Sequence, residues 1–240
     1  MDPTDITLAI AHRLAQVRAD IADTAQKAGR MAGDVRLIAV SKTQPAAYVA
    51  AAVQAGQRDF GENTLQDALT KIPQFAGQGL NWHFIGHLQS NKAKLVPGHF
   101  HWVHSLESAS LARRLSQRAQ EVGVVLNALI EVNITRDPRK HGVPPDAVFA
   151  LLEELVSASL PGLALRGLMA MGPYPADAKS LRTAFSATRQ LRDVCAQRYA
   201  LPDFTELSMG MSGDYAAAIQ EGSTMVRIGT AIFGERDYLK

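Results

Sequence analysis

Cysteine is all but missing from this chain: Cys195 is its single thiol. One thiol closes no internal disulfide, which excludes a disulfide-stapled scaffold and makes a reducing, cytoplasmic setting the expectation. Cys195 sits in the helix-like stretch LRDVCAQRY with no motif around it, and is read as a helix-face residue rather than a nucleophile. An excess of one charge is also lacking. The 25 basic residues against 23 acidic ones leave a net charge of +2, and the basic residues are scattered. Nucleic acid and an anionic membrane are therefore not expected as partners. No apolar run is long and uncharged enough to span a bilayer. The opening MDPTDITLAIAHRL carries acids where a secretory leader carries bases, so no leader is expected. Missing too are a Walker loop, a GxGxxG turn after a strand, and any Cys–His set with metal spacing; the His83–His87 pair falls in an apolar run that reads as a strand, not on one helix face. The Gly-Met-Ser-Gly stretch at 210–213 lacks the flanks of a nucleophile elbow. No low-complexity tract, long linker or shift of composition divides the chain, so residues 1–240 are expected to form one domain.

What is present is an alternation. Short apolar runs rich in Val, Ile, Leu and Phe recur at Arg36–Ser41, Arg58–Gly61, Trp82–Gly86, Trp102–Ser105, Val125–Asn133, Leu163–Met169, Thr205–Met209 and Met225–Ile228. Helical patterns lie between them, at Ala46–Ala55, Leu106–Val122, Asp146–Ser157 and Ala176–Tyr199, and a leading helix is predicted over Ile6–Ala28 with Asp5 as its cap. Runs apolar at consecutive positions, such as LIAV and ALIEV, suit strands buried on both faces of a parallel sheet. Strand–helix alternation implies parallel strands joined by right-handed crossovers. Eight such units predict a (β/α)8 barrel, with a doubly wound open sheet as the alternative that periodicity does not exclude.

In a barrel the chemistry collects at the C-terminal strand ends. Polar and glycine residues gather there: Lys42 after LIAVS, Glu62 and Asn63 after RDFG, His87 after WHFIG, Glu107 after the fourth run, Ser212 after the seventh, Gly229 and Thr230 after the eighth. A lysine directly after a buried strand loses hydration, which lowers its pKa and frees the amine as a nucleophile toward carbonyls. The plain alternative is a lysine snorkelling to the surface. Gly229 and Thr230, with Ser212 and Gly213, can present N–H and hydroxyl groups to an anion, although Ser and Gly also serve ordinary turns. Together with Lys42 they describe a site for an aldehyde bearing a phosphate. Arg227 shares a strand face with Gly229 and so points into the barrel top, where a buried arginine needs a partner, with Glu131 and Glu206 as candidates. His99 and His101 are placed in a solvated loop.

The stretches LIAVSKTQP, FGENTLQDA, WHFIGHLQSNKAK, HSLES, LRGLMAM and LSMGMSGDYAAAIQEGSTMVRIGTAIFGERDY, running from Arg36 to the end, resemble the pyridoxal-phosphate homeostasis proteins, a family of the alanine racemase N-terminal type. The resemblance implies a single (β/α)8 TIM barrel with an additional N-terminal helix, and pyridoxal 5'-phosphate held as a Schiff base on Lys42. It further implies that Ser212, Gly229 and Thr230 bind the phosphate with help from Ser208, that Arg227 faces the pyridine nitrogen, that Asn63 stands near the cofactor, and that Met209 packs against the ring. Gly213 and Ala217 depart from the family pattern, where acidic residues are more usual; both lie beside the phosphate turn.

Two functional classes follow. One is a carrier that buffers or delivers pyridoxal phosphate, with pyridoxal-phosphate-dependent apoenzymes as candidate recipients and effects on vitamin B6 and amino-acid balance. The other is an amino-acid racemase, which needs an acid and a base on opposite faces of the bound substrate. In racemases of this fold the second group comes from a further domain across a dimer interface. A counterpart of that domain is not expected here, and Tyr174 and Tyr215 are the candidate substitutes. An arginine at the pyridine nitrogen also weakens the ring as an electron sink. The carrier reading is preferred, no residue is assigned a catalytic role, and a monomer is expected.

Overall fold

The computed structural model describes residues 3–234. Eight parallel strands close into a barrel in strict chain order: β1 (Arg36–Val40), β2 (Asp59–Glu62), β3 (Asn81–Phe84), β4 (Trp102–Leu106), β5 (Leu126–Val132), β6 (Leu163–Ala170), β7 (Glu206–Ser208) and β8 (Met225–Ile228). The open-sheet alternative is thereby excluded, because β1 pairs with β8 in register Ile38↔Arg227 and Ala39↔Ile228. The expected runs all correspond to strands, with ends moved by a residue or two.

Outside the barrel run α1 (Pro3–Lys27), α2 (Ala46–Gln54), α3 (Leu65–Lys71), α4 (Ala109–Glu121), α5 (Val148–Ser157), α6 (Ala178–Arg198), α7 (Tyr215–Gln220) and α8 (Thr230–Phe233). Several starts differ from the pattern-based ranges because local caps decide them. The Ser108 Oγ accepts from the Leu111 N–H at 3.2 Å, so α4 begins at Ala109 rather than at Leu106. Asp177 likewise accepts from the Ser180 N–H at 2.7 Å and fixes the start of α6. Asp5, expected to cap the leading helix, instead lies inside its first turn. A carboxylate there still favours the helix dipole. The short helix α3 was not anticipated, being only two turns long and halted by Pro73 in the 3-10 turn that follows.

Helix α1 shows why the extra segment belongs to the barrel. Ile10, Leu14, Val17, Ile21 and Ala25 recur at helical spacing and are all buried. They pack α1 against α2, α7 and α8, so it fills the outer position between β8 and β1. Its polar rim adds two clamps. Arg18 donates to the Ala55 carbonyl at 2.9 Å, and Arg30, just beyond the helix, donates to the Ile219 and Ser223 carbonyls at 3.0 and 2.8 Å. The apolar core has two layers: a large one between sheet and helices, and a small one inside the barrel made of Ile38, Trp102, Leu129, Met169 and Met225. Among the described residues no helix is long and apolar enough to cross a membrane. Replacing the fully buried Leu14 by Ala is expected to lower stability by about 2–5 kcal/mol. A urea titration reads this as a lower midpoint with unchanged slope.

Candidate functional site

The strand ends β1, β7 and β8 enclose a cleft of about 250 Å³ at the barrel mouth, lined among others by Lys42, Ile85, Met211, Ser212, Arg227 and Thr230, with Gly229 in its wall. Its volume is close to the lower end of the roughly 300–1,000 Å³ usual for small-molecule sites. Five residues singled out from the sequence, Lys42, Ser212, Arg227, Gly229 and Thr230, are thus brought together. Two are not among the lining residues. Met209 is fully buried and faces the helices, in the outer core layer. Met211, two residues on, is the methionine that lines the cleft. Asn63 lies just past β2 with its backbone against Gly86, where an added Cβ would meet the Asn63 carbonyl oxygen at 2.1 Å. Ser208, considered as a help to the phosphate, is buried and turned into the barrel.

The backbone on either side of Lys42 is pinned from below. The Ser41 N–H donates to the Gly61 carbonyl at 3.0 Å, and the Ser41 carbonyl accepts from the Lys71 ammonium at 2.8 Å. The Thr43 N–H, on a residue with φ 63, donates to Asp67 at 2.8 Å. Lys71 is itself buried, held by Glu62 at 2.7 Å and Asp67 at 2.9 Å, while the Ser41 hydroxyl donates to Glu62 at 2.7 Å. Burial pushes the Glu62 carboxyl up to about 7, with Lys71 pulling the other way. Burial also pushes Asp67 up, but Lys71 and the Thr43 N–H outweigh it and leave its pKa below the usual carboxylate range.

Arg227 comes from β8, the strand paired with β1. One of its terminal nitrogens donates to both the carbonyl and the hydroxyl of Ser208 at 2.7 Å, and the other to the Ala170 carbonyl at 3.2 Å. The carboxylate partners considered from the sequence do not pair with it. Glu206 accepts from the Thr224 hydroxyl, and Glu131 influences Arg227 only through space. Burial lowers the guanidinium pKa to about 10, opposed by Asp214 and Glu131, so the charge persists at neutral pH.

Beneath Arg227 a chain of polar groups crosses the barrel interior. Ser208 Oγ lies 2.9 Å from His104 Nδ1, His104 Nε2 lies 3.0 Å from His83 Nδ1, and His83 Nε2 lies 3.1 Å from Asp59. Burial lowers the pKa of both histidines, His104 the more, so both rings are neutral. The donors are then determined by the ends. Asp59 can only accept, so His83 carries its proton on Nε2 and accepts on Nδ1. His104 must donate from Nε2 and accept on Nδ1, and the proton it accepts is that of the Ser208 hydroxyl. Every bond runs the same way, from the Arg227 cation to the Asp59 anion, the arrangement in which neighbouring bonds reinforce one another. His83 also stacks on Trp102 with ring centroids 5.7 Å apart. Neither histidine stands at a C-terminal strand end, where sequence alone directs attention; strand alternation puts both inside.

Other groups are accounted for. Cys195 is fully buried and burial pushes its thiol up to about 11, which leaves it inert at neutral pH. His99 and His101 are exposed, as expected. Tyr174 is 88% exposed, Tyr215 pairs with Asp20 on α1, and neither lines the cleft.

With this geometry in hand, the chain can be compared with known proteins. The family model "Alanine racemase, N-terminal domain" matches residues 13–237, which sets the class. The pyridoxal phosphate homeostasis protein of Escherichia coli is 47% identical over 239 residues, covering 96% of this chain and 98% of the relative. That of Vibrio cholerae is 46% identical over 233 residues, covering 95% and 97%. The chain therefore belongs to the pyridoxal phosphate homeostasis protein family. Among solved structures, PipY of Synechococcus elongatus with PLP bound aligns with a TM-score of 0.82 at 37% identity, covering 94% of this chain and all of that one (100%). Alanine racemase from Corynebacterium glutamicum aligns with a TM-score of 0.69 at 16% identity, a likeness of fold alone, and the chain covers 62% of its length. The final residues of the motif that carried the resemblance, 235–238, lie outside the described residues.

Two outcomes test the site's electrostatics. Changing His104 to Leu strands the Ser208 hydroxyl and His83 Nδ1 inside the barrel, with an expected loss of about 2–5 kcal/mol by chemical denaturation. Glu131 provides a pH signature, because burial and Glu107 push its carboxyl up to about 7 against the pull of Arg227. A raised folded-state pKa means this group favours folding fully below its ordinary value of 4.5, and that contribution is lost as pH rises to about 7. Relative to wild type, Glu131→Gln should therefore gain on the order of 3 kcal/mol between pH 4.5 and pH 8. Parallel urea titrations across that range give the difference.

Proposed function

We propose that this chain binds pyridoxal 5'-phosphate as a Schiff base on Lys42 and serves the homeostasis of that cofactor, holding and releasing it rather than turning over a substrate. The observation that carries the reading is the convergence of Lys42, Arg227, Ser212, Gly229 and Thr230 on one cleft. The residues fit the cofactor's chemistry. An amine at one wall meets an aldehyde, with one water released on condensation. Ser212, Gly229 and Thr230 supply hydroxyl and backbone donors for the phosphate. At Gly229 an added Cβ would sit 3.2 Å from the Val40 carbonyl oxygen, a tight approach that glycine avoids. Arg227 faces the pyridine nitrogen, Met211 flanks the ring, and Asn63 and Met209 act from behind, through the loop after β2 and the end of β7.

When bound, the cofactor supplies an aldehyde and a ring able to accept electrons. Arg227, charged at neutral pH, keeps the ring nitrogen unprotonated and so limits that electron sink. This favours the carrier reading. The racemase alternative needs a second proton-transfer group opposite Lys42, and the placement of Tyr174 and Tyr215 outside the cleft gives it no support. The remaining parts of the reading are one domain over residues 1–240, a monomeric and cytoplasmic protein, and pyridoxal-phosphate-dependent apoenzymes as recipients.

Protein saturated with pyridoxal phosphate is expected to show an absorbance band near the visible edge, and borohydride reduction to leave the adduct on Lys42 in a peptide map. Lys42→Ala should lose both while keeping its circular dichroism. An adduct on another lysine would overturn the assignment. Sustained change of chirality on incubation with L-alanine would replace the carrier by the racemase.

A further inference from the structure

On the same rim of the barrel, away from Lys42 in the chain, three metal-type ligands meet that no sequence spacing announces. His87 follows β3, Glu107 follows β4 directly, and His141 lies in the loop after β5. Their ligand atoms all lie within 4.8 Å of one another. The two imidazoles stack with centroids 3.9 Å apart and planes 14° from parallel, and His87 Nδ1 lies 3.5 Å from a Glu107 carboxylate oxygen. Apart from that contact, no side-chain hydrogen bond among the described residues holds either ring.

We propose that His87, Glu107 and His141 bind one divalent cation of the borderline class, of which Zn²⁺ is the type. Two imidazoles and a carboxylate prefer Zn²⁺, Co²⁺ or Ni²⁺ to Mg²⁺ or Ca²⁺. With metal–ligand bonds of about 2.0–2.2 Å, tetrahedral donors stand about 3.3–3.5 Å apart. The observed set, spread over at most 4.8 Å, thus closes on an ion by side-chain movements of about 1–1.5 Å, leaving a fourth position for water.

The ligands are presented by backbone that is already fixed. Asn133 donates its side-chain amide to the Asp137 and Lys140 carbonyls at 2.7 and 3.2 Å. The Lys140 ammonium donates to the Gly172 carbonyl at 2.7 Å, and the Val143 N–H donates to the Glu131 carbonyl at 2.9 Å. His141 is therefore bracketed by anchored residues. Gly142 beside it has φ 96, and an added Cβ would meet Glu131 at 2.9 Å, so the turn that aims His141 requires glycine. A cation here would tie the loops after β3, β4 and β5 into one clip over the mouth. The inference is independent of the cofactor reading.

The test uses the untagged full-length protein, free of pyridoxal phosphate and stripped with chelator, titrated with Zn²⁺ by calorimetry and with Co²⁺ by visible absorption. One equivalent should bind, with cobalt bands characteristic of low coordination and no uptake of Mg²⁺. His87→Ala, Glu107→Gln and His141→Ala should each weaken binding by more than roughly tenfold. All three positions are on the rim and partly or well exposed, so circular dichroism should be unchanged. Absence of stoichiometric Zn²⁺ binding, or affinity undiminished in the His87→Ala/His141→Ala double variant, would overturn the site and leave the Lys42 assignment standing.

Discussion

The two charged groups of the cleft share it because the first strand pairs with the last. Ile38 of β1 is in register with Arg227 of β8, and Ala39 with Ile228. Lys42 leaves the barrel just beyond β1, and Gly229 and Thr230 just beyond β8, so the hydrogen bonds of this one pair fix the amine relative to the guanidinium and the anion donors. A strand pair buried on both faces has no freedom to slip, since a one-residue shift would turn Ile38 out of the inner core and Arg227 into the outer one. Helix α1 acts on the same seam from outside, through the apolar stripe from Ile10 to Ala25. The N-terminal helix is thus part of the site's architecture although it contributes no residue to the cleft.

Closing the barrel around Arg227 creates a problem, because a guanidinium inside a low-dielectric core is costly without compensation. Among the described residues no carboxylate meets it directly. The compensation is distributed: two backbone carbonyls and a hydroxyl take up the donors, and the hydroxyl passes its own proton into the His104–His83–Asp59 chain. A direct ion pair would neutralise the arginine locally and turn its face away from a ligand. A neutral relay stabilises the same charge while leaving it available at the cleft. Both histidines must stay uncharged for this, and burial together with the neighbouring cations keeps them so.

Most of the fold was legible because buried parallel strands write themselves as consecutive apolar residues, and the eight runs are the eight strands. Helix boundaries were less legible, since a single cap at Ser108 or Asp177 overrides several residues of favourable pattern. Cleft residues that directly follow strands, Lys42, Gly229 and Thr230, could be found by asking what stands at each C-terminal end. The resemblance gave Asn63 and Met209 their roles, and the fold sets these two apart: alternation along β7 sends Ser208 inward and Met209 outward, while the turn beyond brings Met211 round to the cleft. Contacts that depend on three loops meeting were invisible, because His87, Glu107 and His141 belong to different βα units. The Glu62–Lys71–Asp67 cluster was hidden for a similar reason, as Lys71 belongs to the helix the pattern did not reveal.

That cluster and the histidine chain divide the work of holding the cleft. One lies outside the sheet, under the loop of Lys42; the other lies inside the barrel, under Arg227. They share no residue. Lys71 pairs with the two carboxylates that bond the Lys42 loop, Glu62 through the Ser41 hydroxyl and Asp67 through the Thr43 N–H, and it clamps the Ser41 carbonyl, so the backbone carrying the amine is fixed on both sides. Arg227 is equally fixed by bonds that involve no ligand. Both walls are therefore held by bonds within the protein itself, which lowers the ordering that a ligand must impose.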